Sequence, residues 1–298
     1  MRILSIQSSV AYGHVGNSAA VFPLQRLGHE VWPVSTVQFS NHTGYGAWRG
    51  QVFEPSMVAE VIAGIEDRGV LSTADALLTG YLGSPGVAEV ILQTLTHLRE
   101  INPAVRYCCD PVMGDVGRGM FVLPGLPELI RSTVVPVADV VTPNAYELSF
   151  LASGIDPTAT PTTDEQVRVH ESVRTVEGVL AAVDAVRALG PSTVLVTSVE
   201  HAGVVDDEIG LIAVDDTGAF EVATPRLPLS VNGAGDVTAA VFLAHLGDGV
   251  QTALARVAST VFDILAATRD AGTREIQLIA AQDQIAAPSE RFEVRRIR

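Results

Sequence analysis

Short aliphatic and β-branched runs recur along this chain, each followed by polar residues and then by a stretch with helical spacing. The strand-like runs are Ile3–Gln7, Glu30–Val37, Ala76–Thr79, Val105–Cys109, Val137–Thr142 and Thr193–Thr197. Helical stretches lie between them at Ser18–Leu27, Val58–Asp67, Val87–Glu100, Ala145–Ala152 and Val179–Leu189, with Pro85 placed at a helix start. Short β segments follow from Gly203 to Ala223, and long helices after Gly233 and Val250 close the pattern. Strands alternating with helices predict an α/β fold: a mostly parallel central sheet covered by helices on both faces. The runs are apolar on both sides, as double-sided burial requires. Such sheets bind ligands beyond the carboxyl ends of their strands. Ser8-Ser9, Asn41-His42-Thr43, Gly80-Tyr81, Asp110, Thr142–Asn144 and Thr197-Ser198 all follow strand runs, so polar residues collect at one sheet edge.

The length of 298 residues suits one large α/β domain or two small ones, and no repeat or composition break marks a second full domain. Ile155–Ser172, rich in Thr, Pro, Asp and Glu, reads as a mobile surface insertion. No uninterrupted apolar run reaches the roughly 18–20 residues that span a bilayer. The first residues, Met1–Gln7, are too short and polar-broken for a signal peptide and read as a strand. Cys108 and Cys109 are adjacent, which argues against a structural disulfide and for a reduced, cytoplasmic protein. The formal net charge of −15 makes nucleic acid and anionic membranes poor partners. An anionic ligand must then be held locally, by helix N-termini, a metal ion and a few arginines.

Asn232-Gly233-Ala234-Gly235-Asp236, followed by the apolar run Val237–Leu246, carries the strongest chemical signal. A Gly-x-Gly turn entering a helix aims backbone N–H groups at one point and attracts anions there. Phosphoryl transfer to an alcohol needs such donors together with a base for the hydroxyl proton, and Asp236 is placed to be that base. An aspartate in a first helical turn also stabilises its helix, but that role leaves the two glycines unexplained. The chain contains no lysine. That removes a P-loop lysine, a protein-kinase strand lysine and any Schiff-base lysine.

Asp110, in Asp110-Pro111-Val112-Met113-Gly114-Asp115, could meet magnesium or its waters, or simply open an Asp-Pro turn. Asn144 and Glu147 read as a capping pair, whether or not Glu147 also faces a metal. The segment Phe39–Gly46 and the Gly80–Ser84 loop suit a pocket for a flat polar ring. Tyr81 either stacks on that ring or packs. His14 and His42 stand isolated, which argues against a metal role. Thr197-Ser198 suits phosphate or ribose contacts, or plain strand-end capping.

Taken in order, Ser8-Ser9, Gly13–Asn17, Phe39–Tyr45, Gly80–Gly83, Asp110–Asp115, Thr142-Pro143-Asn144 with Glu147-Leu148, Val196–Ser198 and Gly233–Asp236 make the chain resemble the pyridoxal kinases of the ribokinase-like superfamily. The Asn-His-Thr-Gly-Tyr and Asp-Pro-Val-Met-Gly-Asp combination is the specific part; Gly-x-Gly-Asp alone is shared with sugar kinases. The resemblance implies a three-layer α/β/α sandwich and a cytoplasmic homodimer that moves the γ-phosphoryl of ATP to the 5′-hydroxymethyl of pyridoxal. It implies that Ser9, Thr43, Gly44 and Tyr81 border the vitamin, with Asp236 as base and Gly233, Ala234 and Gly235 as anion hole. Asp110, Thr142, Glu147, Thr197 and Ser198 would line the ATP and Mg2+ side, with Asp110 and Glu147 toward the metal. Thr224, Pro225, Arg226 and Leu227 would touch the adenosine, although Pro228–Val231 is shorter than the family's usual loop. Some relatives carry lysine where Thr197 stands, so arginine, magnesium or a monovalent cation must do more here. None of the family motifs falls on Ile155–Ser172.

Three other readings stand beside this one. The chain could be a kinase for a hydroxymethylpyrimidine or a sugar, or a vitamin B6-binding protein without catalysis. A nicotinamide dehydrogenase fits poorly, because no Gly-x-Gly-x-x-Gly follows the first strand.

Overall fold

A computed structural model describes residues 1–116, 118–154, 173–200, 207–289 and 291–298. The expected insertion at 155–172 lies outside the described residues. In chain order the strands are β1 (Arg2–Val10), β2 (Glu30–Phe39), β3 (Gly50–Val52), β4 (Ala76–Thr79), β5 (Arg106–Cys109), β6 (Gly114–Asp115), β7 (Gly119–Met120), β8 (Val140–Val141), β9 (Thr193–Val199), β10 (Glu208–Asp215), β11 (Gly218–Pro225) and β12 (Arg295–Arg296). The helices are α1 (Asn17–Arg26), α2 (Pro55–Glu66), α3 (Pro85–Ile101), α4 (Leu126–Leu129), α5 (Ala145–Ser153), α6 (Val176–Arg187), α7 (Ala234–His245), α8 (Val250–Ala271) and α9 (Gln282–Ala286).

One ten-stranded sheet runs β12-β11-β10-β9-β8-β5-β4-β1-β2-β3. Its centre, from β9 to β2, is parallel throughout, and both margins are antiparallel. The period-two alternation of each central strand feeds two cores. Leu4, Ile6, Leu77, Tyr107, Cys109 and Val196 pack with residues of α2, α3, α5 and α6. Ile3, Leu78, Cys108, Leu195 and Ala213 pack on the other face with α1, α7 and α8. The expected three-layer α/β/α sandwich follows. Cys108 and Cys109 fall on opposite faces, and both are free and buried.

The chain leaves β1 for β2 on one side and returns to β4 on the other, so the strand order reverses at β1. A crevice opens at such a switch point beyond the strand ends. The helices that meet this edge are well started. Ser84 caps α3 by accepting from the Val87 amide at 3.3 Å, with Pro85 in the first turn. Asn144 and Glu147 form the expected capping box on α5.

Several sequence boundaries moved. β1 and β9 run on to Val10 and Val199, so Ser8-Ser9 and Thr197-Ser198 sit inside strands and not after them. A register shift between Gln7 and Ser9 breaks the β1–β2 ladder there and re-aims the side chains. The expected strand Val137–Thr142 shrinks to Val140–Val141, because Pro136 locks residues 135–137 into a tight helical turn. The β segments after Gly203 resolve into the β10–β11 hairpin. Sequence reading had no signal for β3, for the β6–β7 hairpin or for α9 and β12. Helix α8 is long and apolar enough by composition to cross a bilayer, with a mean hydropathy of 1.3, yet half of that window is buried inside the fold. It packs on α7, β10 and β11, and its buried Asp263 is ion-paired with Arg291, which makes it a core helix.

Candidate active site

A cleft of about 780 Å³ lies at the edge where the parallel strands end, walled by the loops after β1, β2, β4, β5 and β8 and by the start of α7. The α7 entrance forms as the glycines require. Gly233 takes φ 91°, and a Cβ there would lie 1.9 Å from the carbonyl oxygen of His14, so only glycine fits. Ala234, Gly235 and Asp236 then make the first helical turn, whose amides have no intrahelical acceptors. A Cβ built on Gly235 meets nothing within 4 Å, which leaves the cradle open to the cleft.

Asp236 lines the same cleft. Burial pushes its carboxyl up to about 6, against the opposing pull of backbone hydrogen bonds from Gly16 and from its own amide. Gly16 can supply that bond because it holds φ 55°, and a Cβ there would sit 2.2 Å from the Ser8 carbonyl oxygen. The neighbouring Asn17 pins this loop: it donates to the Val34 carbonyl at 3.0 Å and accepts from Ser5 Oγ at 2.7 Å. A carboxylate beside an N–H cradle, both open to one cavity, is an arrangement that can place a base beside an anion.

Two more carboxyls stand across the cleft. Asp110 is 6% exposed and Glu147 4% exposed. Burial raises the Asp110 carboxyl well above its usual range, and the charges of Glu147 and Asp236 raise it further; Thr142 Oγ1 donates to it at 3.2 Å. Burial pushes Glu147 up to about 8, although it accepts from the Met113 amide at 2.8 Å and the Asn144 amide at 3.0 Å. Among the described residues neither carboxyl is paired with a cation. Nor do three His, Cys, Asp or Glu side chains converge among those residues. A pair of uncompensated carboxyls, and no fuller cage, suits a divalent ion held mainly by phosphates.

The remaining wall is aromatic and apolar, with Phe39, Trp48 and Tyr81 prominent. Burial raises the Tyr81 phenol, so it stays protonated. Burial lowers His42, and the charge of Arg118 lowers it further, so it is neutral. Its Nδ1 accepts the Gly44 amide at 3.0 Å, which leaves the proton on Nε2.

Thr43, Tyr81, Asp110, Thr142, Glu147, Thr197, Ser198, Gly233, Ala234, Gly235 and Asp236 therefore meet in one cleft as the sequence suggested. Ser198 takes φ 56°, the sole positive φ of a non-glycine among the described residues, and strain of that kind collects at functional sites. Ser9 is not on the cleft wall. The β1 irregularity turns its hydroxyl to Ser18 Oγ at 3.2 Å, and Ser8 lines the cleft in its place. Gly44 is not on the cleft wall; its amide donates to Nδ1 of His42, which is. Thr224, Pro225, Arg226 and Leu227 lie at the same sheet edge but outside this cavity: Thr224 pairs with Ile209 in the β10–β11 ladder, and Arg226 binds Glu200 at 2.9 Å.

Sequence reading quoted Gly16 and Asn232 within their motifs without giving either a role, and it passed over Arg118 and Glu275. Glu275 accepts the Tyr45 hydroxyl at 2.6 Å and the His14 amide at 3.1 Å, and its backbone bridges to Asn232. It thereby ties together the loops after β1 and β2 and the approach to α7. With Glu275 and Tyr45 separated by 230 positions, no local pattern could announce the contact.

Comparison with known proteins agrees with this geometry. Residues 50–273 match the family model described as phosphomethylpyrimidine kinase. The chain is 53% identical over 300 residues to pyridoxal kinase PdxY of Leifsonia xyli, covering 100% of both. It is 54% identical to pyridoxal kinase PdxY of Rubrobacter xylanophilus, covering 100% of this chain and 98% of that one. Among solved structures, pyridoxal kinase from Leishmania donovani in complex with ADP and pyridoxine superposes with a TM-score of 0.87 at 27% identity, covering 100% and 99% of the two chains. The chain belongs to the pyridoxal kinase family. As a pyridoxal kinase it is a phosphotransferase with an alcohol group as acceptor and a nucleotide co-substrate. The ribokinase-like sandwich expected from the motifs is the fold that these relatives share.

Proposed function

We propose that this kinase transfers the γ-phosphoryl of ATP to the 5′-hydroxymethyl of pyridoxal, giving pyridoxal 5′-phosphate and ADP. The observation that carries the reading is Asp236 at the mouth of the Gly233–Gly235 cradle, in one cleft with an aromatic wall. The vitamin ring lies against Tyr81, His42 and Thr43, with Ser9 and Gly44 adjoining that wall. Asp236, ionised at neutral pH, takes the hydroxyl proton as the alcohol oxygen bonds to phosphorus. The bond from the γ-phosphorus to the bridging oxygen breaks, and ADP leaves with that electron pair. The amides of the cradle hold the charge on the moving phosphoryl oxygens, in place before the reaction begins.

Asp110 and Glu147 are the residues that would hold Mg2+, directly or through water, with Thr142 and Ser198 toward the nucleotide. The ion would neutralise phosphate charge there, and its charge would favour the ionised carboxylates that burial disfavours. Thr197, without charge, leaves a monovalent cation as a further candidate at the phosphates. Thr224–Leu227 is the proposed adenosine edge. The kinase acts as a cytoplasmic homodimer in this reading, and both buried cysteines suit a reducing compartment.

The match to a phosphomethylpyrimidine kinase model favours one second reading, a hydroxymethylpyrimidine as acceptor. A coupled assay of ADP release with Mg2+, across pyridoxal, pyridoxine, pyridoxamine, a hydroxymethylpyrimidine and a sugar panel, separates the two. The expected result is the highest kcat/KM with pyridoxal. Preference for the pyrimidine or a sugar overturns the assignment, and no turnover with any vitamer leaves a binding protein.

A further inference from the structure

The cleft carries four carboxyls, Asp110, Asp115, Glu147 and Asp236, but among its described lining residues a single arginine, Arg118. The chain has no lysine to add. Loose phosphoryl transfer into so acidic a site needs a fixed positive group near the transferring oxygens.

Arg118 stands in the β6–β7 hairpin, whose Gly114, Asp115 and Arg118 line the cleft. Its guanidinium Nη1 donates to Asn232 Oδ1 at 3.2 Å, and Asn232 is the residue immediately before the glycine turn. The guanidinium also stacks on the Phe121 ring at 5.1 Å, which fixes its plane. Among the described residues it forms no ion pair, so its charge is not spent on a neighbouring carboxylate. His42 lines the same cleft; its pKa is lowered first by burial and then by the charge of Arg118, against the pull of Glu275. Two contacts thus hold a guanidinium at the lip of the anion cradle, between the nucleotide and vitamin halves.

The geometry points to Arg118 as a further catalytic residue, which donates to a non-bridging oxygen of the γ-phosphoryl as it moves from ADP to the alcohol. No proton is transferred by it; the proton goes to Asp236. The guanidinium offers several N–H groups in a fork, so one can stay on Asn232 while others reach the phosphoryl. This deepens the proposed function and rests on it.

The test uses the full chain with Arg118→Gln and Arg118→Lys, scored by kcat, by KM for pyridoxal, and by calorimetric Kd for ADP and for AMP-PNP with Mg2+. For Arg118→Gln, kcat should fall roughly 10- to 100-fold, as for loss of one preorganised donor. AMP-PNP should bind more weakly than to the parent while ADP affinity, pyridoxal KM and melting temperature hold, and Arg118→Lys should recover part of kcat. Unchanged kcat overturns the assignment. Equal losses for ADP and AMP-PNP overturn it too, since Arg118 would then merely brace the hairpin. The ADP-against-AMP-PNP comparison involves no proton transfer, so it is independent of whether Asp236 is the base.

Discussion

At the scale of single residues the site is a contest between burial and backbone donors. Asp236 shows the balance: burial lifts its pKa to about 6 while two amides hold it down. The pH dependence follows directly. In the proposed mechanism Asp236 works ionised, so activity would be present above this pKa and lost as pH falls through it. We expect kcat/KM for pyridoxal to rise with pH along a limb centred near 6, and an Asp236-independent limb would place the titration elsewhere. The residue types of the site were largely legible in the sequence, because Gly-x-Gly-Asp, Asp-Pro and the Asn144–Glu147 cap each carry local physical meaning. Gly16 was not, since its role depends on an amide meeting a carboxylate more than two hundred positions away in the chain. That Ser8 and not Ser9 would line the cleft was not readable, because alternation along a strand cannot foresee an irregularity in the ladder.

At the scale of elements, the α7 entrance decides whether the cradle exists. Gly233→Ala must put a methyl group 1.9 Å from the His14 carbonyl oxygen at φ 91°. We expect a stability loss of at least about 1–3 kcal/mol from the strained backbone alone, read as a fall in melting temperature, together with a raised KM for ATP. A variant as stable and active as the parent would show that the turn is not constrained by this contact. The strand and helix order was readable because the hydrophobic period changes from two to 3.6 between elements. β3 and the β6–β7 hairpin were not readable: two- and three-residue strands carry no period, and β3 exists because β2 offers it an edge.

At the scale of the molecule, strand order gathers distant segments at one sheet edge, and Glu275 locks them together. The sequence predicted that edge from the polar residues after each strand run, but not the lock, which joins the last third of the chain to the first loops. Glu275→Ala removes acceptors for Tyr45 and His14 at once. Misplaced binding loops cost rate without touching the chemistry, and we expect kcat/KM for pyridoxal to drop roughly 10- to 100-fold, mostly through KM, with ADP affinity preserved. A loss confined to thermal stability would make the contact purely structural. The central claim, that one carboxylate beside an amide cradle performs the proton transfer, is tested most directly by Asp236→Asn, with single-turnover phosphoryl transfer and calorimetric pyridoxal affinity measured on the same preparation. The account predicts a rate loss of roughly 10²- to 10⁴-fold with pyridoxal still bound; turnover near the parent rate in a protein that binds normally would contradict it.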